Sequence, residues 1–149
     1  TKTVVDNDEE NERVNIDEDK AITDIEEKLD VKMPEFYYRP YGMEFSKYII
    51  NPAADIARIK YLYEEGNIYF YIDKQQTKKA SNISSLNGNE KVIDTISVDN
   101  IEVLLKEMDD SQDEKMTYIA DWKYDDVVYH IVGKLELKEL KKIIKEMKF

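Results

Sequence analysis

The residues best suited to catalysis occur in this chain without the partners that catalysis needs. His130 is the only histidine, so no pair of histidines is available to hold a metal ion. It alternates with Val128 and Val132 and lies out of phase with Tyr129 and Ile131, a pattern typical of a partly exposed strand residue with a structural role. None of the serines lies in a G-x-S-x-G nucleophile elbow, and the chain has no glycine-rich phosphate loop. We therefore expect no enzymatic activity, no catalytic residue, no metal and no cofactor.

Carboxylates are abundant, but their spacing favours turns over acid–base chemistry. Two examples of adjacent carboxylates are Asp109–Asp110 and Asp125–Asp126. A glycosidase needs two carboxyl groups across a cleft, one of them with a raised pKa. Both pairs instead follow strand-like runs, where aspartate is a good turn former. We interpret them as solvated turn residues.

Tyrosine is the one unusual feature of the composition. The chain has 11 tyrosines, most of them on or beside predicted strands. Tyrosine suits a half-buried sheet, and it is also enriched where proteins bind one another. In a predicted hairpin around the E-E-G-N turn, four tyrosines are expected to share one face, with Ile68, Phe70 and Ile72 on the other. These four form the predicted binding site: Tyr61, Tyr63, Tyr69 and Tyr71.

Charge and cysteine content limit the partners. The chain of 149 residues has a net charge of −11 and no cysteine, which excludes disulfides and thiolate metal sites. The acidic balance argues against nucleic acid and against an electrostatic dock on anionic lipid. No apolar run reaches the ~20 residues of a membrane span. Because Thr1 opens directly into polar sequence, we expect the anchor or export signal to lie upstream, and the membrane to be reached only through it.

Hydrophobic periodicity predicts one α+β domain behind an acidic tail. Residues 1–19 are rich in acids and poor in apolar residues, which predicts a disordered tail or linker. Residues 20–149 then form a single domain with an N-terminal helix, a twisted, mainly antiparallel sheet of about six to seven strands, and a C-terminal helix packed on the sheet. The polar interval from Lys74 to Glu90 predicts a mobile loop within that domain.

The two ends of the domain resemble a known family. At the C-terminal end, a strand ending in tryptophan, an acidic turn, a strand with tyrosine and glycine, and a leucine-rich helix follow one another. At the N-terminal end, an apolar-proline segment precedes an aromatic-proline-glycine passage. The residues concerned are Trp122, Tyr129, Ile131 and Gly133, then Val31, Met33 and Pro34, and Tyr38, Pro40, Tyr41 and Gly42. In these features the chain resembles the bacterial family called domain of unknown function 4367, over about residues 21–147.

The resemblance implies a module that works outside the cytoplasm. Such domains usually stand behind a membrane anchor in Gram-positive bacteria, and some belong to anti-sigma-factor-like or sporulation-related proteins. The family supplies no functional residues. We expect a non-catalytic sensing or interaction domain at the cell surface, with an unknown protein or cell-envelope partner. The alternative is a carrier or sensor of an apolar small ligand, held in a cleft between sheet and helices.

Overall fold

Two helices flank the series of strands from β3 (Glu35–Phe36) to β10 (Val127–Gly133) in the described part of the chain. The computed structural model describes residues 3–6, 10–14, 17–74, 90–109 and 116–149. Helix α1 (Glu18–Leu29) buries Ala21, Ile25 and Leu29, and it ends where Asp30 adopts a left-handed conformation with φ 54°. Helix α2 (Leu137–Lys145) buries Leu140, Ile143 and Ile144. Both helices thus place an apolar stripe on the sheet, as the 3.6-residue period predicts.

The strands form one large antiparallel sheet and one small one. The large sheet has the order β1-β2-β4-β5-β6-β10-β9-β8-β7, and β3 pairs with β11 in the small one. The bounds are β1 Thr3–Asp6, β2 Glu10–Val14, β3 Glu35–Phe36, β4 Glu44–Asn51, β5 Ile56–Tyr63, β6 Gly66–Asp73, β7 Glu90–Val98, β8 Ile101–Met108, β9 Thr117–Tyr124, β10 Val127–Gly133 and β11 Met147–Lys148.

Two meanders make up seven of the nine strands of the large sheet. The first runs β4-β5-β6 and the second β7-β8-β9-β10, and they meet where β10 pairs with β6. These seven strands with the two helices confirm the predicted α+β fold. The interval from Lys74 to Glu90 joins the meanders; apart from those two ends, the predicted loop lies outside the described residues.

The acidic turns of the second meander have the geometry expected of turn residues. Asp99 and Asn100 join β7 to β8, and Asp125 and Asp126 join β9 to β10. All four residues have positive φ, between 48° and 68°. Two consecutive residues of positive φ form the turn that best fits the twist of a two-residue hairpin, and Asp and Asn tolerate that conformation. The turn interpretation of Asp125–Asp126 is confirmed.

Residues 3–6 and 10–14, within the predicted tail, form strands. Strands β1 and β2 form a hairpin, and β2 pairs antiparallel with β4, with Asn11 opposite Ile50. Helix α1 also begins at Glu18, two residues before the predicted domain boundary. The physical reason is that β4 would otherwise end the sheet with a row of unpaired N–H and C=O groups, which a neighbouring extended segment can satisfy.

Stacked aromatic rings fill the centre of the inner face, the face on which the helices lie. The rings of Phe70, Trp122 and Tyr129 are nearly parallel, with centroids 5.6–6.0 Å apart. Helix α2 contacts β9, the strand that carries Trp122. Gly133 lies opposite Ile68, and a Cβ at this position would come within 2.9 Å of the Ile68 side chain. The glycine that ends β10 is therefore required by a close approach of two strands.

Candidate functional site

The four tyrosines predicted to form one binding face are divided between the two faces of the sheet. Tyr61 pairs with Ile68 and is buried on the inner face, and Tyr63 follows it on that face. Tyr69 and Tyr71 are half-buried on the outer face. The prediction of a shared face is wrong because the turn contains an even number of residues, Glu64 and Glu65. Such a turn places odd-numbered residues of β5 opposite even-numbered residues of β6.

Tyr69 and Tyr71 form an aromatic patch on the outer face together with Arg58. Their ring centroids lie 6.1 Å apart, and the Arg58 guanidinium lies 5.0 Å from the centroid of the Tyr69 ring. Arg58 stands directly opposite Tyr71 in the β5–β6 ladder. Asn67 donates from Nδ2 to the Tyr69 hydroxyl at 3.4 Å. We call Arg58, Tyr69 and Tyr71 the tyrosine patch.

A buried group of charges lies on the same outer face, on the strands beyond β6. His130, which stands opposite Tyr71, also stands opposite Asp121. Its Nδ1 lies 2.6 Å from Asp121 Oδ1, and Lys106 Nζ lies 2.6 Å from Asp121 Oδ2. Lys106 and Asp121 are 1% and 2% exposed, and Glu90 lies 3.5 Å from the ammonium. We call these four residues the charged cluster.

The charged cluster is a continuous chain of charge contacts that runs from His130 through Asp121 and Lys106 to Glu90. A carboxylate bonded to a histidine is also found in catalytic triads, where it orients the imidazole and stabilises its charged form. Here the second oxygen of Asp121 holds Lys106, so both oxygens of the carboxylate are engaged. Within residues 17–74, 90–109 and 116–149, no three acidic or histidine side chains converge in a way that could hold a metal ion. The position of His130, 21% exposed by its side chain, agrees with the predicted partly exposed strand residue.

A cleft of about 430 Å³ opens between α1, the segment 33–39 and the sheet. The apolar lining that reaches the surface comes from the half-buried Ile22 and Phe36, while Met33, Pro34, Ile59 and Phe70 lie buried beneath it. This volume lies within the range of small-molecule sites, which combine apolar walls with a few placed polar groups. The polar groups come from α1, from the segment 33–39 and from β5, and they include the buried Tyr61.

Glu18, Arg39 and Tyr61 form a bonded triad inside the cleft. Arg39 donates to both carboxylate oxygens of Glu18, at 2.7 and 2.6 Å, and the Tyr61 hydroxyl donates to Glu18 Oε2 at 2.7 Å. Burial raises the pKa of Tyr61 well above its ordinary value, and the neighbouring Glu18 carboxylate raises it further. The hydrogen bonds to Glu18 likewise raise the pKa of Arg39. Tyr61 therefore remains a neutral donor and Arg39 a cation throughout the physiological range of pH.

Most of these residues carried only weak signals in the sequence. Glu18 is an ordinary acid in the first turn of a helix, and Arg39 lies within an aromatic run. Lys106 and Asp121 gave a better signal, because each interrupts an apolar strand, and a charge at such a position is rarely buried without a partner. Identifying the partner of such a charge requires knowing which strands are neighbours in the sheet.

Comparison with known proteins adds one match. The family model described as domain of unknown function (DUF4367) matches residues 33–147, which is most of the chain. Searches of curated proteins and of solved structures gave no match. Neither α1 nor α2 has the length and apolar character of a membrane-spanning helix.

Proposed function

The chain belongs to the DUF4367 family, and on that premise we propose that it is a non-catalytic sensing or interaction domain of a membrane-anchored bacterial protein. The proposal places the domain outside the cytoplasm, at the surface of a Gram-positive cell, in an anti-sigma-factor-like or related setting. Its partner is a protein of the cell envelope.

The tyrosine patch is the observation that carries this proposal. Arginine and tyrosine are the residue types that most often dominate the binding energy of protein interfaces. Both rings are half-buried and already in contact with each other and with Arg58, so little side-chain freedom remains to be lost on binding. The patch also lies on the face opposite α1 and α2. A docked partner would therefore leave the packing of the helices unchanged.

Site-specific photo-crosslinking tests this assignment. A benzoylphenylalanine replaces Tyr71 in the full-length protein on living cells, and the same amino acid at the fully exposed Tyr41 is the matched control. We expect one defined adduct from position 71 and none from position 41. With the purified partner, Arg58→Ala should weaken binding about 30-fold, which corresponds to the ~2 kcal/mol of an interface hot spot. Equal adducts at both positions, or turnover of a cell-envelope substrate, would contradict the proposal.

A second candidate function is favoured by the cleft: a carrier or sensor of an apolar small ligand. The apolar walls and the Glu18–Arg39–Tyr61 triad form the combination that small-molecule sites require. Native mass spectrometry of protein purified from its own host should then show a co-purified ligand. Ile22→Trp, which adds bulk at a half-buried position in the wall of the cleft, should release it. A ligand that stays bound to that variant would remove the cleft from consideration.

A further inference from the structure

We propose that the cleft between α1, the segment 33–39 and β5 binds an apolar molecule that carries a cationic amine. This inference rests on the second candidate function, and it adds the chemical class of the ligand. Four charged side chains line the cleft: Glu18, Asp19, Glu35 and Arg39. Three carboxylates against one guanidinium give the lining a net charge of −2. The cleft therefore attracts cations and repels anions.

The charges inside the cleft are satisfied, and those at its rim face solvent. Glu18 is bonded to both Arg39 and Tyr61, and its side chain is only 17% exposed. Asp19 on α1 and Glu35 in β3 are both exposed, and Glu35 lies close enough to the Tyr37 hydroxyl to raise the pKa of that group. An amine at the mouth of the cleft would meet both of these carboxylates. Its apolar part would extend over Ile22 and Phe36.

An apolar carboxylate fits the same cleft less well, although Arg39 is present. The bidentate bond to Glu18 already occupies the two terminal nitrogens of Arg39. An incoming carboxylate would therefore have to displace Glu18 or lie beside it. Two carboxylates side by side repel each other. The net charge of −11 on the whole chain acts in the same direction.

Three probes with the same apolar chain test the inference: octylammonium, octanol and octanoate. Binding is followed by NMR of selectively labelled methyl groups, with Ile22, Ile59 and Met33 as reporters inside the cleft. We expect octylammonium to bind about three- to tenfold more tightly than octanol, since each exposed ion pair contributes modestly, and octanoate to bind most weakly. The preference should shrink in ~1 M salt, where exposed charges are screened within about 3 Å.

A pair of charge-neutralising variants distinguishes the cleft from the general field of the protein. Asp19→Asn with Glu35→Gln removes both rim carboxylates and should abolish the preference for the amine, with octanol binding unchanged. Glu65→Gln with Glu102→Gln makes the same change of charge at exposed sites outside the cleft and should leave the preference intact.

The outcomes separate this inference from the candidate function on which it rests. Equal binding of octanol and octylammonium, or tighter binding of octanoate, would overturn the inference and leave a ligand-binding cleft. A preference that survives Asp19→Asn with Glu35→Gln would also overturn it. If none of the probes shifts the cleft methyl groups, both the inference and the ligand-sensor candidate fall.

Discussion

Breaking the ion pair between Lys106 and Asp121 should destabilise the protein more than most single substitutions. The two side chains are almost completely buried, with Nζ 2.6 Å from Oδ2. Removing one member of a buried pair leaves the other charge without its closest partner, at a cost of about 3–5 kcal/mol. Each ion keeps a further contact, Asp121 with His130 and Lys106 with Glu90, so we expect the lower end, about 3 kcal/mol.

The substitutions Lys106→Met and Asp121→Asn preserve size and remove one charge each. Each alone should lower the free energy of unfolding by about 3 kcal/mol, roughly a hundredfold in the unfolding constant. The double variant should lose about 3 kcal/mol as well, not 6, because neither charge then remains buried without its closest partner. Such non-additivity is the expected sign of a direct pair.

Urea unfolding followed by tryptophan fluorescence provides the measurement, because Trp122 is the only tryptophan and lies in the core. Lys123→Met is the matched control, since it makes the same exchange at an exposed site in β9. The control should stay within about 0.5 kcal/mol of the parent protein. Single variants that also stay within that limit, or a double variant whose loss equals the sum of the two, would refute this account of the charged cluster.

Three further substitutions test the packing of the fold. Leu140→Ala empties a fully buried site on α2 and should cost about 2–5 kcal/mol in chemical denaturation, whereas the exposed Lys138→Ala should change stability by less than about 0.5 kcal/mol. Gly133→Ala should cost about 1–3 kcal/mol because its Cβ meets Ile68 at 2.9 Å, and a melting temperature equal to that of the parent would contradict this close approach. Deleting residues 1–12 should shift the melting temperature less than Leu140→Ala does, since α1, α2 and the seven strands from β4 to β10 remain whole; the reverse ranking in a thermal melt would refute this.

Local patterns in the sequence were sufficient to predict the helices and strands, but not to predict which strands pair with each other. The 3.6-residue period located both helices, and the alternation of apolar residues located the hairpins. The acidic turn at Asp125 and Asp126 followed from residue type alone. The pairing of β10 with β6 did not follow, because it joins two meanders across a long separation in sequence. The strands at residues 3–6 and 10–14 depend in the same way on a neighbour, since β2 pairs with β4.

The tyrosine face shows how strongly site prediction depends on one count of residues. Each tyrosine was correctly placed on a strand, but the length of the turn decides which faces the two strands share. With two residues in the turn, Tyr61 enters the cleft beside Glu18, while Tyr69 and Tyr71 remain on the outer face beside Arg58. One predicted site thus becomes parts of two different sites. Tyr61 belongs to the cleft, and the outer pair belongs to the tyrosine patch.

The charged cluster also depends on the register of β8 against β9, and this dependence favours the correct pairing of the two strands. Lys106 follows Leu105, and Asp121 precedes Trp122, so on both strands a charge and a core residue are adjacent. Because side chains alternate, a slip of β8 by one residue would turn Lys106 towards the inner face, where the stacked rings of Trp122 and Tyr129 lie. An ammonium group separated from Asp121 in that apolar layer would cost several kcal/mol. We infer that the cluster disfavours incorrect pairing of β8 with β9, and that Lys106→Met with Asp121→Asn, although close in stability to either single variant, should refold with a larger misfolded fraction. A refolding yield equal to that of the single variants would argue against this role.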